Sequence, residues 1–272
     1  MKQFHVHLVS DSTGETVILV ARASLVQFEN IEPQEHHWMM IRSEDQVKIV
    51  LESIAEKPGF VIFTLVNQEN RKILEEGCRR LQLPCIPVLD PVVAGLGTYL
   101  GAETHARPGG QHVLDDEYFA RIEAMQFSLA HDDGQSTWDI DDADVVLLGV
   151  SRTSKTPTSI YLANRGIKTA NIPIVPGCPI PDEIFHAKSP LIVGLTKDPK
   201  RLVEIRRQRL RMIDQDENTD YVDLEMVSKE INDARRLFSK HNWATINVSR
   251  KSIEETAATV LKLYYEREET AL

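Results

Sequence analysis

Two kinds of apolar periodicity alternate along this chain. Phe4-His-Val-His-Leu-Val9 repeats every second residue, as a half-buried strand does. It leads through Ser10-Asp-Ser-Thr-Gly14 into a helical pattern over roughly residues 15–28. Further strands are expected at 37–41, 60–66 and 85–89, with helices near 44–56 and 69–81 between them. A second series follows. A helix is expected over 115–129, a continuous apolar strand at 145–148, and later strands at 170–175, 191–195 and 244–248. Asp198-Pro-Lys-Arg201 opens a helix carrying Arg201, Arg206, Arg207, Arg209 and Arg211. In the closing helix Ile253, Ala257, Val260, Leu261 and Tyr264 share a face and are expected to be core residues.

Strands alternating with helices predict parallel sheets covered on both faces. The expected fold class is therefore α/β: two α/β units with mainly parallel sheets. The first is a Rossmann-like domain over 1–101 and the second a nucleotide-binding domain over 141–272 resembling a P-loop kinase domain. Residues 102–140 are a linker and connecting helix, because Ala102 to His112 has loop composition. Within it, Pro108-Gly-Gly-Gln-His112 could form a lid, with a plain linker the simpler reading.

Composition narrows the function. The 272 residues carry 31 Lys and Arg against 41 Asp and Glu, a formal charge of −10, which argues against a general nucleic-acid binder. It leaves room for a local phosphate site. No segment reads as a membrane span or a signal peptide, and a cytoplasmic protein is expected. Cys78, Cys85 and Cys178 lack metal-ligand or redox spacing and are expected to be reduced. His36 and His37 receive no role.

The most informative segment is Gly149-Val-Ser-Arg-Thr-Ser-Lys-Thr156, between the 145–148 strand and a helical stretch. It matches the phosphate-loop pattern G-x-x-x-x-G-K-[ST] at every fixed position except the second glycine, which is Ser154. A loop at a helix N-terminus directs several amide N–H groups at one anion, and the helix dipole adds positive potential. Gly149, Val150, Ser151, Arg152, Thr153, Ser154, Lys155 and Thr156 are the expected nucleotide-binding set. Lys155 would neutralise terminal phosphate charge, Arg152 would add a forked donor, and Thr156 would offer a hydroxyl to magnesium. Serine resists the positive φ that glycine accepts, so a loop shape different from the standard cradle is expected at Ser154.

Two further clusters stand out. Asp11, in the loop after the first strand, could orient a hydroxyl or hold a metal, with Ser12 and Thr13 binding an anion; helix capping explains the same residues equally well. In His131-Asp-Asp-Gly134, Asp132 and Asp133 could hold magnesium or accept a hydroxyl proton during phosphoryl transfer, while an ordinary turn is the simpler reading. The arginine-rich helix opening at Asp198 could close over phosphates, with a solvated basic face the simpler reading for most of its arginines.

The 149–157 loop, Leu129-Ala-His-Asp-Asp-Gly134, Ser10-Asp-Ser-Thr-Gly14 and Gly194-Leu-Thr-Lys-Asp-Pro199 together resemble the bacterial pyruvate, phosphate dikinase regulatory proteins and their relatives, the phosphoenolpyruvate synthase regulatory proteins. The synthase branch tends to carry Cys-Gly where this chain has Thr153-Ser154, which favours the dikinase branch. The resemblance implies a bifunctional enzyme. It would use ADP to phosphorylate a threonine of the dikinase, inactivating it, and inorganic phosphate to remove that group as pyrophosphate. Lys155, Asp133, Asp132, Arg152 and Asp11 are the candidate catalytic residues. Magnesium is an expected companion, held by Asp132, Asp133 or Thr156. The same chemistry on a synthase, a small-molecule kinase and a non-catalytic nucleotide sensor are the alternatives. A homodimer is the commonest assembly for such enzymes.

Overall fold

The computed structural model describes residues 2–105, 108 and 116–271. The chain divides into two compact units, Met1–Val113 and Leu114–Leu272. Each is built on a four-stranded, all-parallel sheet.

In the first unit β1 (Lys2–Ser10), α1 (Glu15–Leu25), β2 (Ile31–Trp38), α2 (Glu44–Glu56), β3 (Gly59–Thr64), α3 (Gln68–Arg80), β4 (Cys85–Pro87) and α4 (Asp90–Leu100) follow in order. The strands lie as β2-β1-β3-β4. One face of the sheet is sealed by Val47, Val50 and Ile54 of α2 and Leu74 of α3. On the other, Val17 and Ala21 of α1 pack on Val6, Leu8 and Ile62. Helix α2 starts with a reciprocal capping box, in which Ser43 accepts the Gln46 amide and the Gln46 side chain accepts the Ser43 amide.

The strand expected at 37–41 begins earlier, at Ile31. Its sequence, Ile-Glu-Pro-Gln-Glu-His-His-Trp, has little apolar signal because β2 is an edge strand paired only with β1. Pro33 is tolerable on such an edge. Helix α4 was not anticipated from the pattern, and none of its residues is buried. Of the possible 108–112 lid, all but Pro108 lies outside the described residues.

The second unit begins with α5 (Asp116–Ala130), whose Ser128 Oγ accepts the Thr169 amide at 3.1 Å. Then come β5 (Val145–Val150), α6 (Lys155–Ala163), β6 (Thr169–Ile174), the short α7 (Asp182–His186), β7 (Leu191–Thr196), α8 (Pro199–Met212), α9 (Leu224–Lys240), β8 (Ala244–Asn247) and α10 (Ile253–Ala271). Strand order is β6-β5-β7-β8. Every residue of β5 is buried, as a central parallel strand requires. Val227, Ile231, Ala234 and Phe238 of α9 pack on one face of the sheet, and Leu162, Ala257 and Val260 on the other. Helix α9 is not among the expected elements, although its buried residues recur at helical spacing. Among the described residues no helix is long and apolar enough to cross a membrane.

Candidate phosphate-binding site

The fold brings the carboxyl end of β5 to the amino end of α6 through Ser151–Ser154. Open α/β sheets bind ligands at the carboxyl ends of their strands, and β5 is a central one. Gly149 is required by close packing: a Cβ there would sit 2.7 Å from Leu195 O and 2.7 Å from Thr153 Oγ1. Arg152 (φ 71°) and Ser154 (φ 67°) both adopt the left-handed conformation. The expectation that Ser154 avoids positive φ is therefore overturned. Serine takes the glycine-like conformation, a strain that a surrounding network must hold.

That network turns carbonyls outward. Val150 O accepts Thr153 Oγ1 at 2.9 Å and Lys155 Nζ at 3.3 Å. Ser151 O accepts Arg206 Nη2 at 3.2 Å. A planar trans peptide points its N–H opposite to its C=O, so each anchored carbonyl aims the following amide the other way. Among the described residues no acceptor takes the amide N–H groups of Arg152, Thr153, Ser154, Lys155 or Thr156. These are the donors that an anion at a helix N-terminus uses.

Lys155 is only 6% exposed. Burial lowers its ammonium pKa to about 8, against the opposing pull of Asp133 and Asp132. Thr156 Oγ1 donates to Asp132 Oδ1 at 3.0 Å, and Asn171 Nδ2 donates both to Thr156 Oγ1 at 2.9 Å and to Asp132 Oδ1. Asp133 (φ 51°) and Gly134 (φ 73°) make a tight turn that leaves Asp133 exposed. His131 pins the turn from beneath. It is buried, with Nδ1 donating to Phe127 O at 2.7 Å and Nε2 meeting Asp139 Oδ1 at 2.8 Å. That contact holds the Asp139 carboxyl below its usual value. The His-Asp-Asp-Gly segment is thus a turn, and one that stands beside the loop.

Among the described residues no three His, Cys, Asp or Glu side chains could cage a metal. Magnesium needs no such cage, because it takes one or two carboxylates, waters and phosphate oxygens. Asp132 and Thr156 offer hard oxygens 3.0 Å apart, and Asn171 Oδ1 beside them is buried with no hydrogen-bond partner. This donor set fits magnesium.

Asp11 belongs to the first unit. Its carboxylate is buried and accepts the Val66 amide at 2.7 Å, while its carbonyl accepts Arg42 Nε at 2.9 Å. Helix α1 is capped by Gly14, with no side-chain cap bond. A cavity of about 750 Å³ in that unit has apolar walls apart from Lys2 and Ser24 and does not suit phosphate.

Three buried polar side chains of this unit have no individual site role expected from the sequence. Arg206, 1% exposed, departs from the solvated face expected of its helix. It pairs bidentately with Glu230 at 2.7 and 2.9 Å, donates to Tyr221 O at 3.1 Å and lies 4.4 Å from the Tyr221 ring centroid. Tyr221 OH in turn meets Ser151 Oγ at 3.1 Å. The signal was legible: Arg206 shares the apolar face of α8 with Leu202, Val203 and Leu210. Asn171, a polar residue inside the buried run of β6, was a similar signal. Lys197, after β7, is also buried.

A strained loop with unclaimed amides beside a buried lysine, between a parallel strand and a helix, has the donors to receive an anion. The sequence matches the kinase/pyrophosphorylase family over residues 6–261, and the chain belongs to that family. It is 57% identical to a pyruvate, phosphate dikinase regulatory protein of Paramagnetospirillum magneticum, covering 97% of this chain and 85% of that one. Proteins of the same name from Erythrobacter litoralis (52% identical; 98% of this chain, 96% of that one) and Caulobacter vibrioides (53%; 96% and 82%) are similar throughout.

Proposed function

We propose that this chain is a bifunctional regulator of a pyruvate, phosphate dikinase, transferring phosphoryl groups to and from a dikinase threonine in the cytoplasm. The reading rests on one observation above all: five adjacent amides without acceptors, beside a buried lysine, at the amino end of α6. The names of the relatives supply the target. ADP as donor and inorganic phosphate as acceptor follow from the family resemblance.

Phosphoryl transfer needs alignment and charge stabilisation more than covalent help. In the inactivating direction the amides of 152–156, Lys155 and Arg152 hold the diphosphate of ADP. The threonine oxygen attacks the β-phosphorus, the bridging P–O bond breaks, and AMP leaves. Asp133 takes the threonine proton; its side chain is exposed, whereas Asp132 is engaged by Thr156 and Asn171. In the activating direction an oxygen of inorganic phosphate attacks the phosphothreonine phosphorus. Pyrophosphate forms on the same cations, and Asp133 returns a proton to the departing threonine oxygen. Magnesium, held by Asp132 and Thr156, would withdraw charge from the phosphate oxygens.

The test is to incubate the protein with dikinase and either ADP or ATP and map phosphothreonine by mass spectrometry. Phosphothreonine with ADP supports the reading, and labelling by ATP alone refutes the donor. Lys155→Ala should abolish both directions while leaving the fold intact; retained kinase activity would remove Lys155 from the mechanism.

A further inference from the structure

Lys197 is 7% exposed, yet among the described residues its ammonium has no hydrogen bond and no ion pair. Its stem is packed in protein while the ammonium itself still reaches solvent, so Lys197 presents an unpaired cation at the surface. The charged group nearest in effect makes matters worse: after burial itself, it is the Arg201 guanidinium that lowers the Lys197 pKa. Arg201 has only a loose contact of its own, 3.7 Å to Glu204. Asp198, between the two, does not relieve them, because its carboxylate accepts the Arg201 amide at 3.1 Å as the cap of α8.

The sheet register locates this uncompensated charge. Strands β5 and β7 are neighbours, with Gly149 opposite Leu195. Strand β5 ends at Val150 and β7 at Thr196, so Ser151 of the loop and Lys197 each follow directly on their strands at the carboxyl edge of the sheet. Paired strands lie roughly 4.8 Å apart, within reach of a four-carbon lysine stem.

We propose that Lys197, with Arg201 behind it, is a second phosphate-contacting cation, which meets the phosphate chain of a nucleoside diphosphate seated on the 149–156 loop. This rests on the nucleotide reading above. The anion would supply the counter-charge that Lys197 lacks within the protein.

The experiment measures ADP and adenosine affinity by calorimetry, and thermal unfolding without ligand, for the intact protein and for Lys197→Met, Lys197→Arg and Lys155→Ala. Lys197→Met should weaken ADP binding about tenfold or more, the size of a lost charge-assisted hydrogen bond. It should leave adenosine affinity within about twofold and keep or raise the unfolding temperature, since the cation removed has no ion pair and is repelled by Arg201. Lys197→Arg should recover part of the ADP affinity. A lysine that merely supports the fold would instead lower the unfolding temperature and weaken both ligands together, and that pattern overturns the proposal. Unchanged ADP affinity in Lys197→Met also overturns it, while Lys155→Ala losing ADP keeps the nucleotide reading in place. Failure of the unaltered protein to bind ADP would defeat the nucleotide reading itself.

Discussion

Removing the carboxylate of Glu230 should show how the strained loop is held. Arg206 is almost completely buried and its guanidinium makes four contacts: two to Glu230, one to Tyr221 O and one to Ser151 O. Glu230→Ala leaves that cation buried without its counter-charge. Breaking a buried pair on one side costs roughly 3–5 kcal/mol. At about 1.4 kcal/mol per factor of ten, the unfolding equilibrium of the second unit should shift by roughly two to three and a half decades. Native-state hydrogen exchange of the β5 and β7 amides, with urea titration, measures this within that unit. The double variant Arg206→Met with Glu230→Leu separates stability from function. Replacing both partners by apolar side chains is often close to neutral, so exchange protection should return to within about 1 kcal/mol of the original. The Ser151 carbonyl nevertheless loses its donor, so the loop is free to turn the Arg152 amide away, and ADP affinity should stay depressed. A cost below about 1 kcal/mol for Glu230→Ala, or full ADP affinity in the double variant, would refute the claim that this pair holds the loop.

Other consequences are open to equally direct measurement. Ser154→Gly relieves a left-handed serine, and calorimetry should find a gain of up to about 1 kcal/mol, the side-chain strain less the added freedom of the unfolded glycine; a loss would mean that the serine is not strained. Because the folded pKa of Lys155 is lowered to about 8, the unfolded chain binds more protons between about pH 8 and its ordinary value of 10.5. Its contribution to the stability of the unliganded protein should therefore rise across that window, while ADP affinity falls as the ammonium is lost; Lys155→Met should flatten both profiles. Burial also lowers the His7 pKa, and its ring is fixed as neutral, accepting from Trp38 Nε1 at 3.2 Å while its Nε2 donates to Lys57 O at 2.8 Å. The contribution of His7 is thus present above pH 6.5 and lost as pH falls through its depressed folded value, so His7→Gln should reduce the acid sensitivity of the first unit in circular dichroism. Asn171→Ala removes both donors that hold Thr156 and Asp132 together and should raise the magnesium concentration needed for half-maximal transfer about tenfold, with smaller effect on ADP affinity in the absence of metal.

Local chemistry made much of this molecule legible before any coordinates. The alternation of strand and helix determined the parallel α/β architecture, because buried parallel strands must be apolar on both faces. The span of α2 could be read in full, since a capping box marks its start and apolar spacing its length. The spacing from Gly149 to Thr156 marked the candidate anion loop, because cradling a phosphate requires consecutive amides, a lysine and a hydroxyl in fixed order. Edge strand β2 was misplaced, since a strand buried on few sides carries little hydrophobic signal. What tertiary structure alone decided was partnership across long separations. Arg206 is 55 residues from Ser151 and Asn171 is 39 from Asp132. Only folding reveals which carbonyl and carboxylate meet the buried Arg206, and that Asp132 is engaged while Asp133 is exposed. Periodicity reports which face of an element is apolar; the charge that meets a buried polar group comes from another element, and strand order and register choose it.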